Sequence, residues 1–181
     1  DHRTNGYKAR LESMLHKPDA ALRLIKSALD IGISADYVLM DTWFTTEPFI
    51  KSIQDLGLDV IGMVKQLNQS YIFHGKTYKL AQLQKSAPYK SAKECFGSLV
   101  VYTKNHHIPV KIVFVRNRNK RSECLYILST DIELSNAEIV RIYGNRWSIE
   151  VFFKASKSLF KLGKEFQSRS YNANICHTTI V

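Results

Sequence analysis

Four consecutive apolar residues, Tyr37-Val38-Leu39-Met40, stand between Asp36 and Asp41. A strand with one wet face would alternate, so this run suits a strand buried on both faces, as in a parallel or mixed sheet covered by helices. Helical patterns lie on either side of it. Pro18-Asp19 opens an amphipathic helix with Ala21, Leu22, Ile25, Ala28 and Leu29 at helical spacing, closed by Gly32. Thr45 or Thr46 is expected to cap the next helix, whose Phe49, Ile50, Ile53 and Leu56 line one side before Gly57 stops it. Leu58 to Val64 reads as a second buried strand. Strand, helix, strand is an α/β unit, and in open α/β sheets reactive groups lie beyond the carboxyl ends of the strands. Asp41 stands at such an end.

The character changes from Lys65 onward. Tyr71-Ile72-Phe73 and Thr77-Tyr78 flank His74-Gly75 in a hairpin pattern. Leu99 to Thr103 and Val110 to Val115 read as strands joined by Lys104-Asn105-His106-His107, and a basic turn, Arg116 to Arg121, leads to a further strand, Leu125 to Ser129. The two histidines read as turn residues, because neighbouring side chains on a strand point to opposite faces and would not share a metal. Asp131 follows, and Ser135 with Glu138 forms a capping box that starts a helix reaching about Leu162, bent at Gly144-Asn145. The expected organisation is a core segment over 1–64, a β-rich insertion over 65–122, and a return to the core over 123–181. The polar opening before Pro18 reads as a loop cut from something longer.

The 181 residues carry 26 Lys+Arg against 16 Asp+Glu, a formal charge of +10. That balance favours a polyanionic partner, with nucleic acid the first candidate. Cys95, Cys124 and Cys176 are odd in number and far apart, which suits neither a disulfide framework nor a zinc site. No apolar run approaches the roughly 20 residues of a membrane span, and the opening residues are too polar for a signal peptide, so a cytoplasmic protein with no membrane partner is expected.

On a helical wheel, Ile149, Phe152, Phe153, Leu159 and Phe160 gather on one face of the last helix, the expected core face. Arg146, Glu150, Lys157, Lys161 and Lys164 share a neighbouring face, with Lys154 beside them. Seven residues place Glu150 and Lys157 about 10 Å apart along the axis and nearly in line. One carboxylate thus sits in a row of cations. The simpler explanation is an exposed i,i+4 pair of Arg146 and Glu150, contributing a few tenths of a kcal/mol.

The spacing Tyr143-x2-Arg146-x3-Glu150-x6-Lys157 resembles the Y-R-E-K signature of bacterial cut-and-paste insertion-sequence transposases of the DDE class, the insertion-sequence-four type. Around it, YGNRWSIEVFFKASK is similar to the usual form of that block, and YVLMDTWFTTEP resembles the block around the second catalytic aspartate, with Asp41 in its place. The resemblance implies an α/β fold: a partial ribonuclease-H-like core with a β-rich insertion between the second catalytic Asp and the catalytic Glu. It implies that Asp41 and Glu150 are catalytic and bind two Mg²⁺ or Mn²⁺ ions, which activate the attacking oxygen and stabilise the leaving one. Arg146 and Lys157 would contact phosphates near the cleaved end, with Tyr143 packing or hydrogen-bonding beside them. Trp147 would stack on a flipped base if cleavage runs through a hairpin, or would simply pack. Trp43 and Phe44 are expected as core supports that orient Asp41. The implied partners are double-stranded DNA, as transposon ends and target, and a second copy of the chain in a nucleoid-associated synaptic complex.

The family's first aspartate has no counterpart among Asp1, Asp19, Asp30 and Asp36, which fit no strand end. The expectation is that it lies upstream and that this stretch alone is inactive. Lys104, Lys111, Arg116, Arg118, Lys120 and Arg121, with no acid between the first and last, would follow a DNA backbone or merely form a solvated hairpin tip. Two other functions fit the residues less closely: a basic DNA-binding domain without catalysis, and a ribonuclease-H-like nuclease acting on other substrates.

Overall fold

The computed structural model describes residues 14–65, 69–87, 95–117, 120 and 123–159, together with Thr4, Tyr7, Lys8 and Leu11. The chain forms two compact units, residues 24–144 and residues 1–23 with 145–181.

Helix α1 spans Lys17–Asp30. Its half-buried positions include Ala21, Leu22, Ile25, Ala28 and Leu29, the predicted stripe. Strand β1 (Tyr37–Met40), helix α2 (Glu47–Gln54) and strand β2 (Asp59–Val64) then form the expected unit. β1 and β2 pair in parallel, with Met40 opposite Gly62. β2 is covered on both faces. Ile61 joins Val113, Ile127, Ile139 and Tyr143 in one cluster, while Gly62, its neighbour in sequence and therefore on the other face, abuts Thr45 just before α2.

The remaining strands are β3 (Ser70–Phe73), β4 (Lys76–Lys79), β5 (Cys95–Thr103), β6 (Pro109–Arg116) and β7 (Cys124–Ser129). All seven make one sheet in the order β1-β2-β7-β6-β5-β3-β4. β7 pairs antiparallel with both β2 and β6, so the four strands between residues 70 and 116 extend the sheet begun by β1 and β2. The β3–β4 turn puts His74 and Gly75 at φ of 48° and 73°, both left-handed as a two-residue hairpin turn requires. Helix α3 (Leu80–Ser86) has no signal in the sequence reading. Seven residues are too few to show a period, yet Leu80 and Leu83 are both fully buried.

Helix α4 (Asn136–Gly144) opens on the predicted capping box: Ser135 N–H donates to Glu138 Oε2 at 2.9 Å and Glu138 N–H to Ser135 Oγ at 3.2 Å. The expected bend is a full break, because helix α5 restarts at Trp147 and runs to Leu159. Two expectations fail. Neither Thr45 nor Thr46 caps α2 through its side chain; the Thr45 hydroxyl donates instead to the Asp41 carbonyl at 2.6 Å. The apolar stripe of α5 is not buried, since Ile149, Phe152, Phe153 and Leu159 are each about half or more exposed. A wheel identifies which side of a helix is apolar, not whether anything covers it. Phe160, Lys161 and Lys164 lie outside the described residues.

Glu47, in the first turn of α2, accepts N–H bonds from Asn105 at 2.8 Å and from His106 in the β5–β6 turn. Burial pushes its carboxyl up, but these bonds and one from Thr103 outweigh burial and hold it below the usual carboxylate range. His106 and His107 are thus turn residues, as expected, and the turn is tied to α2.

Gly62 is the tightest position in the sheet. A Cβ there would meet Thr45 Oγ1 and lie 2.9 Å from Thr45 Cγ2. Gly62→Ala should therefore destabilise by about 1–3 kcal/mol through overpacking. In a Thr45→Ala background the added cost of Gly62→Ala should shrink. Urea denaturation of the four proteins of this cycle measures both effects, and an undiminished cost would mean that strain elsewhere is responsible.

Candidate active site

Asp41 is the first residue past the carboxyl end of β1, and its side chain is fixed by the turn it begins. Oδ1 accepts the N–H of Trp43 at 2.9 Å and of Phe44 at 3.3 Å, an arrangement in which a short acidic side chain substitutes for a backbone turn. Its carbonyl accepts the Thr45 N–H at 3.1 Å as well as the Thr45 hydroxyl. Thr45 is held in turn, since Gln69 Nε2 donates to its carbonyl at 2.6 Å. Asp41 Oδ2 has no partner among the described residues. One carboxylate oxygen orients the group and the other is available.

The other carboxylates beside β1 and β2 lie at the opposite edge. The β2–β7 register puts Ser129 opposite Ile61, which brings Asp131 level with Asp59 and Tyr37. Four residues of strand then separate them from Asp41, about 13 Å. They are also engaged: Tyr37 donates its hydroxyl to Asp131 at 2.9 Å, and Thr130 donates to Asp59 at 2.6 Å. The bond to Asp131, with burial and that group's negative charge behind it, pushes the Tyr37 phenol up to about 12.

Beside Asp41 the sequence reading is half right. Phe44 packs on Phe49 of α2, ring centroids 5.7 Å apart, as a support should. Trp43 is not a core support: it is 76% exposed, and the Lys65 ammonium stands 4.8 Å from its ring centroid. The turn needs only the Trp43 N–H, so nothing draws the indole inward. A cleft of about 400 Å³ opens alongside, lined among others by Thr42, Lys65, Gln84, Glu123 and Tyr126. Glu123 is held by Lys120 at 3.1 Å and by Asn117 at 3.3 Å. Sequence reasoning missed Lys65 and Glu123. Lys65 was within reach, because it follows β2 as Asp41 follows β1.

On α5, Arg146 Nη2 lies 2.6 Å from Glu150 Oε1. The pair expected from the spacing is present, and the partial exposure of both side chains keeps its contribution to a few tenths of a kcal/mol. Glu150 is in the first turn and Lys157 in the last, each at the end the helix dipole favours for its charge. Trp147 is 64% exposed, whereas the Tyr143 ring on α4 is 8% exposed in the cluster around Ile61. Asp41 and Tyr143 belong to the unit 24–144; Arg146, Trp147, Glu150 and Lys157 belong to the other.

Part of the basic run serves the fold. Lys111 Nζ donates to the carbonyls of Leu134 at 2.6 Å and Ile132 at 3.3 Å, and Lys120 pairs with Glu123. Arg118 and Arg121 lie outside the described residues. Among the described residues no three His, Cys, Asp or Glu side chains converge as a metal site, and no helix is long and apolar enough to cross a membrane.

The two oxygens of Asp41 make separable predictions. Asp41→Asn keeps an oxygen acceptor for the Trp43 and Phe44 N–H groups and should cost well under about 1 kcal/mol, whereas Asp41→Ala strands both donors and should cost about 1–2 kcal/mol. Thermal denaturation of the two variants beside the parent tests the difference; equal losses would show that the turn does not depend on the side chain.

A family model described as the transposase DDE domain matches residues 15–181, and the search of curated proteins found no match. The matched stretch includes the seven-stranded mixed sheet, the strand-end Asp41 and the helix that carries Glu150. The chain belongs to the DDE transposase family, whose members use divalent metal ions and act on DNA by phosphoryl transfer.

Proposed function

We propose that the chain is the catalytic part of a cut-and-paste transposase of the insertion-sequence-four type, cleaving and transferring strands at transposon ends, with Tyr143, Arg146, Glu150 and Lys157 as its Y-R-E-K residues. The observation that carries this reading is Asp41: a carboxylate at a strand's carboxyl end, one oxygen held by two backbone N–H groups and the other open. Asp41 Oδ2 and Glu150 are the oxygen donors we assign to Mg²⁺ or Mn²⁺, which when bound would supply Lewis-acid activation of the attacking and leaving oxygens. Asp19 and Asp30 lie on α1 and Asp36 precedes β1, so none of them is assigned as the third carboxylate. The chain alone is then inactive, and the protein extended upstream to a strand ending in an aspartate is active.

The chain's own groups have distinct tasks in this reading. The Asp41 turn holds the carboxylate aimed. Arg146 orients Glu150, then shares its guanidinium with a phosphate. Lys157 contributes a second phosphate contact as a point charge. Tyr143 packs through its buried ring in the cluster around Ile61, and the exposed Trp147 supplies an apolar surface toward DNA. Residues 65–122 we read as the insertion between the two catalytic carboxylates, and the working form as a homodimer on two transposon ends. A DNA-binding domain without catalysis would retain the Arg146–Glu150 pair but bind no metal through it.

With a charge of +10, the protein should bind duplex DNA with log K falling as log salt rises. Lys157→Ala should lower affinity on every sequence and flatten that slope by about one unit. Binding that ignores salt between about 50 and 200 mM would contradict the electrostatic account.

Metal binding gives the sharper test. Asp41→Asn and Glu150→Gln should each weaken Mn²⁺ binding at least about tenfold, seen by electron paramagnetic resonance, without lowering DNA affinity. In the upstream-extended protein Glu150→Gln should abolish Mg²⁺-dependent cleavage of the ends. Unchanged Mn²⁺ binding in the Glu150→Gln protein would make Glu150 a salt-bridge residue only.

A further inference from the structure

We infer that Trp43 and Lys65 form a platform beside Asp41 that takes an unpaired nucleotide of the processed DNA strand, the indole stacking on its base and the ammonium meeting its phosphate. The inference rests on the transposase reading. Tryptophan is mostly buried in folded proteins, yet Trp43 is 76% exposed. Its backbone is fixed, since the same N–H that orients Asp41 belongs to it. The indole therefore stands two residues from the open carboxylate oxygen in a turn that cannot move one without the other. Lys65 follows β2, the parallel neighbour of β1, and its ammonium lies over the ring at 4.8 Å.

The pairing of an aromatic face with a cation selects the ligand class. Every base has a π-face, so a lone indole holds a nucleotide with little sequence preference, and a lysine adds the backbone charge. Faces of paired bases are already stacked inside a duplex, so the site favours a nucleotide that is unpaired. The adjoining cleft, about 400 Å³, offers Thr42 and the Gln84 amide for its polar edges, with the Gln84 oxygen held by the Tyr126 hydroxyl at 2.8 Å. Glu123 in the same cleft is neutralised by Lys120. A protein partner is the less suitable occupant: the surface beside the indole is a lysine and a carboxylate rather than an apolar patch.

Two duplex probes test this, one with 2-aminopurine at an unpaired position and one with the same base paired, titrated with the whole chain while 2-aminopurine fluorescence is followed. The parent should bind the unpaired probe more tightly and quench it. Trp43→Ala should lose about fivefold or more in affinity for the unpaired probe, change little on the paired one and lose the quenching, while Trp43→Phe keeps most of both. Lys65→Ala should weaken the unpaired probe and flatten its salt dependence. The indole is exposed, so melting temperatures of the Trp43 variants should match the parent's. If Trp43→Ala binds the unpaired probe as the parent does, or the parent does not distinguish the probes while binding both in a salt-dependent way, the platform is wrong and the transposase reading stands. If the parent binds neither probe, both fall.

Discussion

The parallel pairing of β1 with β2, covered on both faces, is the constraint on which the rest depends. Parallel strands cannot be joined by a tight turn, so the chain must leave β1, cross by a helix and return. Asp41 is where it leaves. The exit is narrow because Gly62, opposite Met40, leaves just enough room for Thr45, and Thr45 bonds back to the Asp41 carbonyl. Packing of the sheet and aim of the carboxylate are one problem here: Gly62 is small so that Thr45 fits, and Thr45 fits so that the turn after β1 closes.

β7 propagates this arrangement. Antiparallel on both sides, it couples β2 to β6 and so makes the strands between residues 70 and 116 part of the same sheet. The shared core follows, with Ile61, Val113 and Ile127 from three adjacent strands meeting Ile139 and Tyr143 of α4. The segment that ends at Tyr143 is therefore held by the sheet that presents Asp41. Lys111 strengthens this tie by bonding two carbonyls ahead of α4, and so is a structural cation despite its place in a basic run.

Much of this was legible from residues because period and capping are local. Tyr37 to Met40 announced a strand, though one at the sheet's edge in which only Met40 is buried; the α1 stripe followed from its spacing, and Ser135 with Glu138 announced a helix start. The failures share a cause: each turned on a neighbour distant in sequence. Thr45 looked like a cap until Gly62 offered space and the Asp41 carbonyl an acceptor. Trp43 looked like a core residue because apolar aromatics usually are, and only the fold shows that its N–H, not its ring, is what the turn uses. The α5 stripe is apolar by period, but cover is a property of neighbours. Candidate-site geometry was legible to the same extent, with the place of Asp41 at a strand end read from the end of a run and the Arg146–Glu150 pair from i,i+4 spacing, while Lys65 stood in the matching position after β2 and was passed over.

The acids around the parallel pair differ in where they lie and in what they bond. Asp59 and Asp131 lie at the opposite edge of the sheet, each taking a hydroxyl bond from Thr130 or Tyr37, and Glu123 in the cleft is held by Lys120 and Asn117. Each of those groups already takes at least one hydrogen bond from a side chain of the fold. Asp41 keeps Oδ2 without a donor among the described residues, at the strand ends where open α/β sheets place their ligands. On the proposed reading, the open Asp41 oxygen, in a chain of net charge +10, is the one that meets a cation from outside the chain. A divalent ion suits that position better than a lysine would, because a cation bound there can serve the reacting phosphate as well as the carboxylate.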